Sequence, residues 1–338
     1  MRWTSLTAVA ALAGCQGSPD AVCPGERSWD RGVIDGTEGW IPREVATSGR
    51  EVWIAGPNED GWLLAHFDGA MWSVEPFEGG PEERSIVALW AGDGGEAWLA
   101  TLVYAGNPIW HREGGEWQRA PRPPRTLSAI SGMWSSGQGD LWVTDSDDLY
   151  RLHDGEWTAV YTADPGVSLA AICGTSASDV WVVEATFVVE QTLIHWDGQR
   201  WEKEPLPPDL FLSSLTCTDS GLVAIANLES GDAMLARWSA GAWSLEAPLG
   251  EANATRIGRL FVRSDDDIWL SGTVALDEAP DEFEERVAHY DGCDWSSRPD
   301  VVDLAHDNWV ADWLLTGLAD GRTWIIGATG LTLQLGPL

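Results

Sequence analysis

The sequence predicts an all-β fold made of seven four-stranded antiparallel units. The first observation is composition: 23 Trp and 37 Gly stand beside four Met and six Phe, which favours short strands joined by tight turns. The second is a pair of tryptophan positions that recurs about every 40 to 50 residues, the usual length of one blade. The third is a Gly-containing turn between apolar runs in most units. Together they indicate a single seven-bladed β-propeller over residues 23–338.

Residues 1–15 predict a lipoprotein signal peptide. Arg2 supplies one positive charge, an apolar run extends to Leu12, and small residues precede a cysteine. The tetrapeptide Leu12-Ala13-Gly14-Cys15 resembles the lipobox of bacterial lipoproteins. That resemblance implies cleavage before Cys15, a diacylglycerol on its sulfur, a further acyl chain such as palmitate on its amino group, and, from Gln16, sorting to the outer membrane. The alternative is a chance cysteine inside an ordinary secretory signal.

Within each unit we name the strands a to d in chain order. The first tryptophan column follows the a–b turn and opens strand b. Its positions in the seven units are Trp53, Trp98, Trp142, Trp181, Val223, Trp269 and Trp324. The second column follows the c–d turn and opens strand d, at Trp72, Trp117, Trp157, Trp201, Trp243 and Trp295. In the second unit the pattern predicts strands near Ile86–Trp90, Ala97–Leu102, Ile109–Arg112 and Glu116–Arg119.

The Asp-Gly turns of the c–d hairpins resemble the Asp-box of sialidase-like propellers. The Trp-rich units are also similar to those of WD-repeat and kelch proteins. The Ser and the downstream Gly spacing of an Asp-box are absent here. The resemblance therefore covers nearly the whole mature chain but implies only the architecture, and no active site follows from it.

The N-terminal segment is expected to complete the last blade. The chain has seven b-strand positions but only six c–d turns after residue 50, so the seventh blade lacks its fourth strand. A turn and Trp29, followed by the strand-like Gly32-Val33-Ile34, offer that strand at about residues 27–34, after a short tether at 16–22. Such closure removes open sheet edges. A disordered tether extending to Trp40 is the alternative.

The four cysteines that follow Cys15 predict two disulfides, because their number is even and the expected compartment is oxidising. Cys173 lies eight residues before Trp181, and Cys217 lies six residues before Val223 in a shortened unit. These are equivalent positions on adjacent innermost strands, which predicts a Cys173–Cys217 bridge between blades four and five. By elimination Cys23 pairs with Cys293. A zinc site is disfavoured, since no two of these cysteines have the close spacing of zinc ligands.

Recurring polar residues are interpreted as scaffold. Histidines stand two residues before the acid of the c–d turn in four units, and one adjoins that acid in a fifth; they are His66, His111, His195, His289 and His153. Residues that recur around a ring do not converge on one site, so turn and packing roles are favoured. The repeated Asp140, Asp179 and Asp267 of the a–b turns receive the same interpretation. His306 falls outside the pattern, and no recognisable metal motif adjoins it.

The largest departure from the repeat is Val274–Val287, expected as an acidic loop in blade six. Its carboxylates are Asp277, Glu278, Asp281, Glu282, Glu284 and Glu285. A solvated, repelling loop is one interpretation. The other is a calcium or cationic-partner site, because clustered carboxylates are ligands for hard cations. The spacing matches no EF-hand, and no other cofactor is expected.

The formal charge of −33, from 53 acidic and 20 basic residues, argues against a nucleic-acid partner. We expect a monomeric ring in the bacterial envelope, held to the membrane by lipid, that binds an envelope protein or a glycan without catalysis. The alternative is a propeller enzyme, such as a glycosidase or lyase acting on an extracellular polysaccharide. Function is expected in loops that vary between blades, and Trp90 and Trp134 are expected to line the central channel.

Overall fold

The computed structural model describes residues 29–79, 85–102, 108–127, 129–137, 139–186, 190–207, 210–250, 256–276, 279–298, 314–327 and 330–336. These residues form seven antiparallel sheets. The innermost strand of each sheet contacts the inner part of the next sheet, and the last sheet contacts the first, so the sheets close into a ring. The protein is therefore a seven-bladed β-propeller, as the repeat predicts.

The strands follow one another along the chain in blade order. Strand β1 is Trp29–Val33. Blade one contains β2 (Glu44–Thr47), β3 (Val52–Pro57), β4 (Trp62–Phe67) and β5 (Trp72–Pro76). Blade two contains β6 (Ile86–Ala91), β7 (Ala97–Thr101), β8 (Ile109–Glu113) and β9 (Glu116–Arg119), with a single 3-10 turn at Asp93–Gly95. Blade three contains β10 (Ile130–Gly137), β11 (Asp140–Asp145), β12 (Asp148–His153) and β13 (Glu156–Thr162).

The remaining blades follow the same order. Blade four contains β14 (Val167–Ser176), β15 (Asp179–Thr186), β16 (Gln191–Trp196) and β17 (Trp201–Pro205). Blade five contains β18 (Leu210–Leu212), β19 (Thr216–Thr218), β20 (Gly221–Leu228), β21 (Ala233–Ser239) and β22 (Ala242–Glu246). Blade six contains β23 (Arg256–Ser264), β24 (Asp267–Leu276), β25 (Ala279–Tyr290) and β26 (Trp295–Ser297). Blade seven contains β27 (Leu314–Gly317), β28 (Thr323–Ile326) and β29 (Leu331–Leu335).

Strand β1 completes blade seven. It pairs antiparallel with β29, from Trp29 opposite Leu335 to Val33 opposite Leu331. The predicted closure by the N-terminal segment is thus confirmed, and the first and last described strands lie in one sheet. Blade five is the irregular blade, because its inner strand is split into β18 and β19, which both pair with β20.

Strand b is buried on both faces, since neighbouring blades cover it. Every residue of β7 and of β11 is buried, whereas the d strands β9 and β13 are mostly exposed or half-buried. This explains why b strands appear in the sequence as continuous apolar runs and d strands as mixed ones. The b strands therefore form the core of each contact between blades.

The two tryptophan columns meet across the contacts between blades. A b-strand indole of one blade packs against the d-strand indole of the next, with ring centroids 5.6 Å apart for Trp53 and Trp117 and 6.3 Å for Trp142 and Trp201. The closing contact repeats this, since Trp29 lies edge-on to Trp269 at 5.6 Å. Such edge-to-face pairs contribute about 0.5–1.5 kcal/mol beyond their buried area. The columns therefore join blade one to blade two, blade three to blade four, and blade six to blade seven.

Candidate functional site

The repeating acid, tryptophan and histidine form a packing unit. In blades one, two, four and six the imidazole stacks on the b-strand indole, with ring centroids 3.8–3.9 Å apart. The imidazole Nε2 lies 2.7–3.4 Å from a carboxylate two residues before that tryptophan. In blades two, three, four and six this carboxylate also accepts the indole N–H, at 2.9–3.3 Å. The predicted packing role of these four histidines is confirmed.

The scaffold role of the repeated Asp140, Asp179 and Asp267 is confirmed, since each accepts a hydrogen bond from the indole of its own blade. The predicted packing role is wrong for His153. His153 does not stack on an indole; its side chain is 58% exposed, and Arg151 lies over Trp142 instead. Arg151 takes the position of the histidine because it is the residue directly opposite Trp142 in the ladder between β11 and β12.

The surroundings of two of these side chains shift their pKa values. Burial lowers the pKa of His66, and the hydrogen bond with Glu51 opposes that effect only in part. The imidazole of His111, whose Nε2 lies 3.4 Å from the Glu96 carboxylate, holds the pKa of Glu96 below its ordinary value. In blade one the imidazole of His66 is therefore neutral at pH 7, which suits packing rather than proton transfer.

An open depression of about 520 Å³ lies where the a–b turns of blades one to four surround the mouth of the channel. Its lining includes Ser48, Trp90, Asp93, Glu96, Trp134 and Thr175. Both tryptophans line this depression and are half-buried, and their place along the central channel stays a prediction. A Cβ on Gly174 would lie 2.7 Å from the Trp134 ring, so the glycine allows that indole to lie across the next blade. We call the surface that carries the a–b and c–d turns the a–b face.

A second cavity of about 310 Å³ lies on the same face, between blades four and five. It is lined by Thr175, Asp179, Trp181, Thr218, Asp219 and Trp238, among others. Thr175 lines both cavities, so the two adjoin. Trp181 is half-buried, unlike the other five tryptophans of its column, which are 0–2% exposed.

Glu44 and Arg259 occupy one repeat position on the inner strands of blades one and six. Each stands two residues before the partner of the b-strand anchor, Ala46 opposite Trp53 and Phe261 opposite Trp269. Burial raises the pKa of Glu44 to about 7, and the charge of Arg259 opposes this only in part. Sequence reasoning did not identify these two residues, although a charged residue at this position of an inner strand is visible in the sequence.

The acidic segment of blade six is a hairpin rather than a loop. Strands β24 and β25 pair from Ile268 opposite Tyr290 to Leu276 opposite Ala279, so the predicted loop is wrong for most of its length. Glu284 and Glu285 are neighbours in β25 and so lie on opposite faces, and Glu284 is paired with Arg286 at 2.8 Å. Asp277 and Glu278 lie outside the described residues. Within the described part of the chain, no group of three His, Cys, Asp or Glu side chains could hold a metal ion.

The bridge between Cys173 and Cys217 is present, with 5.5 Å between the Cα atoms. It joins β14 of blade four to β19 of blade five, which confirms the predicted pairing of innermost strands. Cys15, Cys23, the tether at 16–22 and His306 lie outside the described residues, so lipidation and the Cys23–Cys293 bridge stay predictions. In the described ranges, no helix is long and apolar enough to cross a membrane.

Comparison with known proteins shows the fold but no family. No family model matches this chain, and no curated protein sequence matches it. The structure of YCF48 bound to D1 peptide is similar, with a TM-score of 0.63 and 17% identity over 92% of this chain and 96% of that one.

Two further solved structures extend well beyond the part that this chain matches. The GH74 xyloglucanase from Xanthomonas campestris has a TM-score of 0.63 and 14% identity, and the match covers 90% of this chain and 53% of the xyloglucanase. The extracellular domain of BT4673 from B. thetaiotaomicron has a TM-score of 0.59 and 16% identity, and the match covers 91% of this chain and 40% of that domain. At such identities the likeness concerns the propeller fold alone.

Proposed function

We propose that the protein is an envelope lipoprotein whose propeller is a non-enzymatic binding module for a protein or glycan partner. The partner binds on the a–b face, over the depression that contains Trp90 and Trp134. The observation that carries this proposal is the composition of that depression, in which exposed indole surface lies beside the carboxylates of Asp93 and Glu96 and the hydroxyl of Ser48.

The chemistry of the depression suits recognition. Ligand sites combine apolar and aromatic surface with a few polar groups that fix orientation. The indoles come from the inner strands of two adjacent blades, so a rigid scaffold holds their spacing. A propeller of similar size was solved with a bound peptide, which supports a polypeptide as one class of partner.

The expected anchor is the acylated Cys15. Two or more acyl chains give stable attachment, whereas one does not. If Cys23 is bridged to Cys293, seven residues separate the anchor from the ring, a reach of at most roughly 25 Å. The propeller would then lie close to its membrane.

Metabolic labelling with palmitate tests the anchor. We expect label in the wild-type protein and its recovery in the membrane fraction, because Cys15 carries the acyl chains. The Cys15→Ala variant should carry no label and should not be processed at this site. Equal labelling of both proteins would contradict lipidation at Cys15.

Capture from detergent-solubilised envelope tests the binding module. The bait is the soluble form without residues 1–15, and Ser136→Trp places a bulky side chain at the mouth of the depression. Ser136 is exposed and donates to Asp140 at 2.6 Å. Its matched control is Ser230→Trp on the opposite face, where an exposed serine donates to Asp232 at 2.8 Å. We expect a partner that the wild type and Ser230→Trp retain and Ser136→Trp loses; equal retention by all three contradicts the proposal.

A propeller enzyme is the second candidate, and Glu44 favours it. A carboxylic acid with a pKa of about 7 is poised to act as a general acid near neutral pH. Hydrolysis or elimination of extracellular polysaccharides that disappears in Glu44→Gln would support this candidate. Activity that survives the substitution would exclude Glu44 as its acid.

A further inference from the structure

Arginines of the protein cover most of the b-strand tryptophan column. A guanidinium lies over Trp53, Trp142, Trp269 and Trp324, with the carbon of the guanidinium 4.8–5.7 Å from the ring centroid. These arginines come from different positions in the repeat: Arg112 from strand c of the next blade, Arg151 from strand c of the same blade, and Arg322 from an a–b turn. Among the described residues, four of the six tryptophans in this column therefore have a guanidinium over the ring.

Trp181 has the same stacked histidine as other tryptophans of the column, but no arginine of the described residues lies over its ring. Like Trp53 and Trp269, it stacks on a histidine, His195, at 3.9 Å. No guanidinium lies over its ring among the described residues, and it borders the cavity of about 310 Å³ instead. Trp98, which has no such guanidinium in the described part of the chain either, is only 2% exposed, so it has no free surface to offer.

The disulfide lies beside the opening at Trp181. In blades two and three the residue opposite the b-strand anchor is another tryptophan, Trp90 or Trp134. In blade four that residue is Cys173, which is far smaller and is bonded to Cys217. Cys217 lines the opening together with Trp181 and Trp238.

The charges around the opening favour a cation. Asp179 has a side chain that is 35% exposed and accepts hydrogen bonds from Trp181 and His195, and the exposed Asp219 lies on the neighbouring turn. The residues that line the cavity include no lysine or arginine. A planar guanidinium can stack on an indole and still donate to a carboxylate, whereas an ammonium is a strongly hydrated point charge. The net charge of −33 would draw a basic segment toward the protein.

We propose that this groove between blades four and five receives an arginine side chain from a polypeptide partner. The arginine lies over Trp181 and faces Asp179, in the place that the protein's own arginines take in other blades. This inference rests on the proposed function, because it supplies the chemical class of the partner segment on the a–b face.

Indole NMR of the full chain tests the groove. The protein carries Cys15→Ser to prevent acylation, and the probe is N-acetyl-arginine methylamide. Its uncharged citrulline analogue has nearly the same shape, and the lysine analogue keeps the charge without the planar group. Trp181→Phe identifies the Trp181 indole resonance. We expect this resonance to shift saturably with the arginine probe, with affinity for the citrulline analogue about tenfold weaker and for the lysine analogue intermediate.

A second variant keeps the test valid if Trp181→Phe fails to fold. Ser220→Arg places an arginine on an exposed turn at the rim of the groove, and Ser230→Arg adds the same charge on the opposite face. We expect Ser220→Arg to abolish probe binding and Ser230→Arg to leave it unchanged. Equal affinity for the arginine and citrulline probes, or no response at any indole, overturns the inference.

Capture from the envelope separates this inference from the proposed function. We expect Ser220→Arg also to lose the captured partner. A partner lost by Ser136→Trp but retained by Ser220→Arg contradicts the groove alone. Probe binding at Trp181 together with no captured partner contradicts the proposed function alone.

Discussion

Asp267 illustrates how one residue supports the contact between two blades. Its carboxylate accepts the indole N–H of Trp269 at 2.9 Å and lies 3.1 Å from the imidazole of His289. It also pairs with Arg263, which donates to the Leu318 carbonyl of blade seven at 2.7 Å. Burial acts to raise the pKa of Asp267, but His289 and Arg263 outweigh it and hold the pKa below its ordinary value. Its ionised form is therefore part of the folded state.

Replacing this carboxylate should weaken the protein in a pH-dependent way. We predict that Asp267→Asn lowers the free energy of unfolding at pH 7 by about 3–5 kcal/mol, because the guanidinium of Arg263, whose side chain is only 9% exposed, loses its one carboxylate partner among the described residues. A depressed pKa stabilises the fold above the unfolded value of 3.8, and this contribution is lost as the pH falls through the lower folded pKa. Denaturant unfolding from pH 7 to pH 3 measures this, and Asp154→Asn, at an exposed turn, should change stability by less than about 0.5 kcal/mol. A loss for Asp267→Asn as small as that of the control would contradict the role of the carboxylate.

Glu44 has the opposite effect on stability. Its folded pKa of about 7 lies above the ordinary value of 4.5, so its contribution is favourable below pH 4.5 and is lost as the pH rises through 7. We predict that Glu44→Gln raises the free energy of unfolding by about 1–3 kcal/mol at pH 8 and leaves it nearly unchanged at pH 4. The exposed Glu38→Gln should show no such difference in urea unfolding at the two pH values. A Glu44→Gln variant that is no more stable than the wild type at pH 8 would show that its carboxylate is solvated.

At the scale of the element, β1 determines whether the ring is closed. Trp29 is 8% exposed and packs on Trp269, whereas Asp30 on the same strand is exposed. We predict that Trp29→Ala lowers the free energy of unfolding by about 3–5 kcal/mol and that Asp30→Ala changes it by less than about 0.5 kcal/mol. Urea unfolding midpoints compare the two. Equal midpoints for both variants would mean that β1 contributes little to the last blade.

The disulfide constrains the irregular blade. It closes a segment of 44 residues between blades four and five. We predict that the double variant Cys173→Ala, Cys217→Ala loses about 3–4 kcal/mol of stability, mainly because the unfolded chain gains freedom. Denaturant unfolding without reductant measures the change while leaving the other cysteines intact. An unchanged midpoint would contradict a stabilising role for the bridge.

Features that repeat in every blade were predictable, and features of a single blade were not. The strands of blade two, the b-strand anchors and the closure by β1 follow from spacing, because each blade must match the register of the next. Arg151 takes the place of His153 opposite Trp142 because the c–d turn of blade three is one residue shorter than in blade four. The acidic hairpin of blade six was missed because charged residues on exposed strand extensions have no apolar alternation.

The candidate site was predicted only in part, for the same reason. Trp90 and Trp134 were identified because they stand at one repeat position on strand a. The opening at Trp181 lies between two blades, and its lining combines Trp181 of β15 with Thr218 of β19 and Trp238 of β21. Spacing in the sequence shows which residues recur, but it does not show which of them stays exposed after the blades pack together.

At the scale of the whole molecule, the two cavities that adjoin at Thr175 are the basis for the proposed binding surface on the a–b face. The opposite face has a smaller described cavity of about 120 Å³ between blades one and two, lined by Trp62 and Phe77 among others. The sequence predicted function in loops that vary between blades. The two larger described cavities lie instead among the a–b turns, which the repeat partly conserves. Binding there would depend on the residues that differ between these turns.

Binding of a partner on the a–b face is tested most directly by hydrogen–deuterium exchange of the protein with and without the captured partner. We predict slower exchange in the a–b turns of blades one to four, at residues 48–51, 92–96, 135–137 and 174–179, because the partner covers these amides. Exchange in the b–c turns at residues 58–61 and 229–232 should be unchanged. Slower exchange confined to the b–c turns, with the a–b turns unaffected, would contradict binding on the a–b face.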